Sequence, residues 1–239
     1  MKAMIFAAGL GTRLKPLTDH MPKALVPVDG RPLLEIVLEK LQRAGFDEFV
    51  INIHHFADMI EEWCQDKPFR IALSNERQEL LETGGGIKHA RKLLQGCERF
   101  LIHNVDILSN VDLRSFMNAG SQHDATLLVS ERITQRYLLF DDNMRLVGWT
   151  NIKTGEVKSP YPNLDVEHCH KYAFAGIHQM STNLFPLMDE WPDKFSIIDF
   201  YLSVCATHSI YGYIQPDLRL MDVGKMDTLA EAEAFLRSI

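Results

Sequence analysis

Two cations and two glycines near the N-terminus have the types and spacing for phosphate chemistry. The apolar run Ala3 to Ala8 breaks into Gly9-Leu10-Gly11-Thr12-Arg13, and Lys23 follows inside Pro22-Lys23-Ala24-Leu25-Val26-Pro27-Val28. Glycines directly after a short buried strand let the backbone turn tightly and bring its N–H groups close to an anion. The Arg13 guanidinium can grip phosphate oxygens through two parallel bonds, and the Lys23 ammonium acts as a movable point charge. A P-loop would need Gly-x-x-x-x-Gly-Lys-Ser/Thr, which does not occur. A dinucleotide fingerprint fails because Leu14 occupies the third glycine position and Asp29 lies in a turn, not at a strand end. On these residues alone a plain strand-to-loop turn with a surface Arg and Lys stays open.

Further along, Leu81-Glu82-Thr83-Gly84-Gly85-Gly86-Ile87 precedes apolar positions at Ala90, Leu93 and Leu94. Read as a glycine loop before a helix, it suits either close approach of a flat ligand or a flexible turn. The run Phe100-Leu101-Ile102 ends in His103-Asn104-Val105-Asp106. An acid at the carboxyl end of a strand beside a phosphate loop can start a magnesium site, which needs one or two carboxylates plus phosphate oxygens and water; a loop-capping Asp would look the same in sequence. Asp222, in Met221-Asp222-Val223-Gly224, is by itself ordinary turn chemistry. His54-His55 and His168-Cys169-His170 have the look of metal ligands, yet neither has partners at a spacing that completes a site, and both read as hydrogen-bonded or solvated groups.

The string Ala7 to Thr18 followed by Pro22 to Val28 resembles the signature of sugar-1-phosphate nucleotidylyltransferases, and the resemblance extends over most of the chain. It implies a Rossmann-like three-layer α/β/α nucleotidyltransferase (GT-A-like) fold, with a mixed, mostly parallel central sheet and a small antiparallel addition. It also implies an enzyme that transfers a nucleoside monophosphate from a nucleoside triphosphate to a sugar 1-phosphate, giving an NDP-sugar and pyrophosphate, with Mg²⁺ as cofactor. Carried over, triphosphate binding falls on Ala8, Gly9, Gly11, Thr12 and Arg13, base reading on Gln78, Thr83, Gly84 and Gly85, and metal binding on Asp106 and Asp222. Lys23, Asn104 and Gly176 would hold the sugar phosphate, with Arg13 and Lys23 catalytic. Glu82 to Ile87 is most similar to short uridylyltransferases acting on N-acetylmuramate 1-phosphate. Mannose and heptose guanylyltransferases have similar loops. Cytidylyl transfer to an alcohol phosphate such as phosphocholine stays open, as does a non-catalytic nucleotide-binding regulator. The family usually has Gly where this chain has Val105, and its Glu-Lys-Pro sugar contact is missing here.

These side chains need a parallel sheet to hold them. Leu33, Leu34, Val37, Leu38 and Leu41 recur at helical spacing between the first strand and Phe49 to Ile53, which gives strand, helix and strand in sequence. Ile60 and Trp63 mark a second helix, Ile71 to Leu73 another strand, and Leu138 to Asp141 with Arg145 to Trp149 a hairpin about Asp142-Asn143. Tyr172 to Ile177 reads as a strand, Ser196 as the cap of a helix, and Thr228 to Leu236 as the final helix.

At 239 residues and 46% hydrophobic content, the expectation is one catalytic domain over 1–239, with a polar sugar-side excursion at about 130–171. A formal charge of -7 excludes a general nucleic-acid or anionic-membrane surface, so phosphate must be held by local cations. Four cysteines without a C-x-x-C pair, and an apolar N-terminus cut short by the glycine loop, point to reduced thiols and a cytoplasmic protein. A monomer or small homo-oligomer is expected.

Overall fold

The computed structural model describes residues 1–239. The first half lays down β1 (Lys2–Phe6), a small hairpin of β2 (Pro27–Val28) and β3 (Arg31–Pro32), α1 (Leu33–Arg43), β4 (Glu48–Ile53), α2 (Ala57–Gln65) and β5 (Ile71–Asn75). Then come α3 (Glu82–His89), α4 (Arg91–Leu94), β6 (Arg99–Asn104), β7 (Ile107–Ser109), α5 (Leu113–Ala119) and β8 (Ala125–Ser130). The second half contributes β9 (Arg136–Phe140), β10 (Leu146–Asn151), β11 (Glu156–Lys158), β12 (His170–Ser181), α6 (Ile197–Val204), β13 (Ile210–Ile214), β14 (Leu220–Asp222) and α7 (Met226–Ser238).

Ten of these strands form one sheet, in the order β11-β10-β9-β12-β6-β1-β4-β5, with β8 pairing both β12 and β13. Its centre is parallel, since β1 lies between β4 and β6 with all three running the same way. The long β12 runs antiparallel to β6, β8 and β9, and its register shifts between Phe174 and His178, where Gly176 has φ +75°. β9, β10 and β11 extend the sheet as the expected antiparallel addition. Alternation along each central strand feeds two cores. Ala3, Ile5, Phe49, Ile51 and Leu101 pack with α1, α2, α5 and α7, while Met4, Val50, Phe100 and Ile102 pack with α3, α4 and α6. The result is the expected α/β/α layering.

One element differs from the expectation. Gly84, Gly85 and Gly86 lie inside α3 instead of in a loop before it. A Cβ on Gly84 would fall 2.3 Å from the Phe195 ring, and one on Gly85 would fall 2.0 Å from the Asp193 carbonyl oxygen. The glycines let the helix lie directly against the 193–196 segment, an approach that outweighs their poor helix propensity.

Candidate active site

The carboxyl ends of β1, β4 and β6 meet at one edge of the sheet, where Phe6 is in register with Asn52 on one side and Asn104 on the other. There the chain opens into a cleft of about 600 Å³ walled by the loop Ala7 to Arg13, with Lys23, Asn52, Thr83, Asn104, Asp106 and Gly224 around it. The edge where parallel strands end is the usual ligand site of such sheets. Gly9 faces the cleft with nothing within 4 Å of where a Cβ would stand. Gly11 is left-handed at φ +64°, and its carbonyl accepts from the Thr18 hydroxyl at 2.8 Å and from the Leu14 N–H at 2.8 Å, which fixes the return of the loop.

Asn52 and Glu76 lock this loop, and neither is marked by a sequence motif. Asn52 Oδ1 accepts from the Ala7 and Ala8 amides at 2.8 and 3.3 Å, and its Nδ2 donates to Glu76 Oε1 at 2.9 Å. Glu76 Oε2 in turn accepts from the Leu81 N–H at 3.3 Å, just before α3. Both side chains are buried, and burial pushes the Glu76 carboxyl up despite the Asn52 and Leu81 hydrogen bonds. The chain of contacts ties the first phosphate-loop residues to the start of the glycine helix. An Asn among the apolar residues of Phe49 to Ile53 is the one sequence signal for it, because a buried polar residue needs partners.

Opposite the loop, Lys23 Nζ contacts Asp106 Oδ2, and the Val223 N–H donates to the Asp106 carbonyl at 2.8 Å. β14 pairs antiparallel with β7, with Asp222 across from Ile107, so the second acid arrives beside the first. A Cβ on Gly224 would fall 2.6 Å from Asp222 Oδ1 and 2.7 Å from Arg13 Nη2, and glycine there lets carboxylate and guanidinium close over the backbone. Burial and the neighbouring Asp106 carboxylate raise the Asp222 carboxyl above its ordinary range, against the opposing pull of Lys23 and Arg13. Its Oδ1 is buried without a hydrogen-bond partner. Two adjacent carboxylates, one with an unsatisfied oxygen, facing an anion-binding loop fit a hard divalent cation completed by phosphate oxygens and water.

Other residues expected at the site are placed elsewhere. Gln78 lines a separate cleft with Arg77, Lys88 and His89 and not the main one, although Leu80 two residues on does line the main cleft. The Gly84 and Gly85 amides donate to the Phe195 carbonyl at 2.8 and 3.2 Å, so these two donors are taken up by the chain itself, and neither glycine lines the main cleft. Thr83 does line the main cleft, where its Oγ1 accepts from the Ile197 N–H at 3.0 Å. Gly176 stands behind Asn104, where a Cβ would fall 2.9 Å from Asn104 Nδ2. It therefore makes room for the asparagine without lining the cleft. Val105 occupies the family's glycine position and lines the cleft, buried.

The histidine pairs form no ligand cluster. His54 Nδ1 is bonded to the Glu76 carbonyl at 2.7 Å, His168 pairs with Asp165, and His170 pairs with Asp142. No group of three or more metal-ligating side chains is present, and no helix is long and apolar enough to cross a membrane.

The family model described as nucleotidyl transferase matches residues 2–137. N-acetylmuramate alpha-1-phosphate uridylyltransferase of Caulobacter vibrioides is 32% identical over 98% of this chain and 96% of that protein. The protein of the same description from Neisseria meningitidis is 44% identical over 51% of this chain and 53% of its own length. The solved structure of HddC from Yersinia pseudotuberculosis has the same fold at a TM-score of 0.78 and 22% identity, covering 98% of this chain and 99% of that one. By the family match over residues 2–137 and the similarity along nearly the whole chain, the protein belongs to the nucleotidyl transferase family and is a sugar-1-phosphate nucleotidyltransferase.

Proposed function

We propose that this enzyme transfers the uridylyl group of UTP to N-acetylmuramate 1-phosphate or a similar sugar 1-phosphate, giving an NDP-sugar and pyrophosphate. The observation that carries this reading is the convergence of the Gly9 to Arg13 loop, Lys23 and Asp106 on one cleft, with Asp222 behind Gly224. The uridylyl and muramate assignment is supported by similarity to the Caulobacter protein along nearly its whole length. In this reading residues 1–239 work as one catalytic domain.

An oxygen of the sugar 1-phosphate attacks the α-phosphorus of UTP in line, while the bond from that phosphorus to the bridging oxygen of the β-phosphate breaks. Pyrophosphate leaves with the bond's electron pair. A phosphate dianion is already nucleophilic at neutral pH, so the chain supplies alignment and charge compensation and needs no protein nucleophile. Amides of the Ala8 to Thr12 loop hold the triphosphate and Arg13 compensates charge growing on the departing pyrophosphate. Lys23, held in place by Asp106, meets the phosphates at the reacting centre, and Asn104 orients the incoming sugar phosphate. Mg²⁺ is the cation we assign to Asp106 and Asp222, where it would neutralise phosphate charge when bound.

A pyrophosphate-release assay with four nucleoside triphosphates against muramate, glucose, mannose and heptose 1-phosphates tests the assignment. Turnover that is magnesium-dependent and highest with UTP and N-acetylmuramate 1-phosphate is expected. Highest turnover with GTP and mannose or heptose 1-phosphate would overturn the finer assignment, and no release with any pair would overturn the reaction.

A further inference from the structure

A second cleft, of about 560 Å³, is built from the antiparallel addition and the start of α6, with Arg132, Arg136, Lys158, Trp149, Phe174 and Ser196 in its lining. Ser196 also lines the main cleft, so the two share a wall. Arg132 is near enough to the reaction centre for its charge to act on Asp222, and its Nη2 donates to the Phe174 carbonyl at 3.0 Å, which holds it at the junction. A group that reached from the α-phosphate site past Ser196 would therefore enter this cleft.

The charges of the lining are unequal. Lys158 is already paired with Asp199 at 2.9 Å and lies 5.3 Å from the centre of the Trp149 ring, so its charge is committed. Glu156 is the other lining acid. Arg132 and Arg136 stand against it without an ion-pair partner of their own, which leaves a net positive cleft in a chain whose formal charge is -7. Arg136 is exposed at the start of β9, and no hydrogen bond of its guanidinium serves the fold. A guanidinium with no partner in the fold, in a cleft that shares a wall with the main one, matches a carboxylate carried by a sugar 1-phosphate. The planar fork takes the carboxylate.

We infer that this cleft selects sugar 1-phosphates bearing a carboxylate, with Arg136 as its specificity-determining residue. The inference rests on the transfer reaction proposed above and deepens its substrate assignment, since N-acetylmuramate is N-acetylglucosamine carrying a lactyl ether acid. Loss of one charge-assisted contact is worth about 1.5 to 3 kcal/mol, or about 10- to 100-fold in selectivity.

The test compares kcat/KM for N-acetylmuramate 1-phosphate, N-acetylglucosamine 1-phosphate and glucuronate 1-phosphate in the wild-type enzyme, Arg136→Ala and Arg136→Glu. The wild type is expected to favour an acidic sugar over N-acetylglucosamine 1-phosphate. Arg136→Ala should cut that preference by about 10- to 100-fold and Arg136→Glu should reverse it, with the melting temperature of both variants unchanged. An acid preference that survives both substitutions overturns the role of this cleft and leaves the muramate assignment intact. A preference for glucuronate that depends on Arg136 overturns muramate as substrate and supports the cleft. Wild-type preference for the neutral sugar overturns both.

Discussion

At Gly9 a side chain would meet nothing within 4 Å, whereas at Gly85 it would fall 2.0 Å from the carbonyl oxygen of Asp193. The first glycine cluster leaves backbone open to a cleft and the second lets one part of the chain press against another. In sequence they look alike, two glycine-rich stretches that invite the same reading of a ligand drawn close. Glycine marks close approach by something, and only the partner's position says whether that is ligand or protein.

This contrast fails most visibly if Gly85→Ala is tolerated. The methyl must displace backbone at Asp193 and disturb the amide bonds to Phe195, and we expect a loss of about 3 kcal/mol in urea unfolding. Asn52→Ala attacks the link between the clusters. It strands the Ala7 and Ala8 amides and one oxygen of buried Glu76, at an expected cost of about 2 kcal/mol together with a higher KM for the triphosphate. A stability change without any change in KM would show that the link holds the fold and not the loop.

Both cores also carry a buried histidine that burial pushes down to about 3, His103 on β6 and His178 on β12. Between the unfolded value near 6.5 and that lower one, the unfolded chain binds a proton that the folded chain refuses. The histidine contribution should thus level off above about pH 7.5 and fall on acidification below about 6.5, approaching about 1.4 kcal/mol per pH unit for each histidine. His178→Phe should remove one share of that slope in urea titrations between pH 6.5 and 5, and an unchanged slope would contradict the assignment. Gly9→Ala is the smallest perturbation of the fold, expected within about 0.5 kcal/mol of wild type, while lowering turnover because the methyl enters the phosphate cleft. Normal turnover in that variant would mean that the first cluster is not a phosphate cradle.

Much of the main cleft is legible in the sequence because it is local. Gly9, Gly11 and Arg13 are neighbours along the chain, and strand-end Asp106 follows from an apolar run ending in an acid. Asn52 and Glu76 escape notice because their value lies in contacts between strands, and a single Asn in an apolar strand names no partner. The glycines of α3 read as a loop because their true neighbour, Phe195, is remote in the chain. Gln78 suits base reading only by its distance along the sequence from the glycines, and its side chain lines a different cleft from the one Leu80 and Thr83 line. The cleft around Arg136 is the least legible, since it is assembled from single residues on the segment before β9, on β9, β10, β11 and β12, and at the entry to α6.

The most direct measurement follows the label from UTP carrying ³²P at the α-position, incubated with N-acetylmuramate 1-phosphate and Mg²⁺, in the wild type and in Asp106→Asn and Asp222→Asn. Wild-type enzyme should move the label into the sugar nucleotide with unlabelled pyrophosphate released, and both variants should fold but transfer none. Label appearing as free UMP, or full transfer by both variants at saturating magnesium, would contradict the proposed reaction.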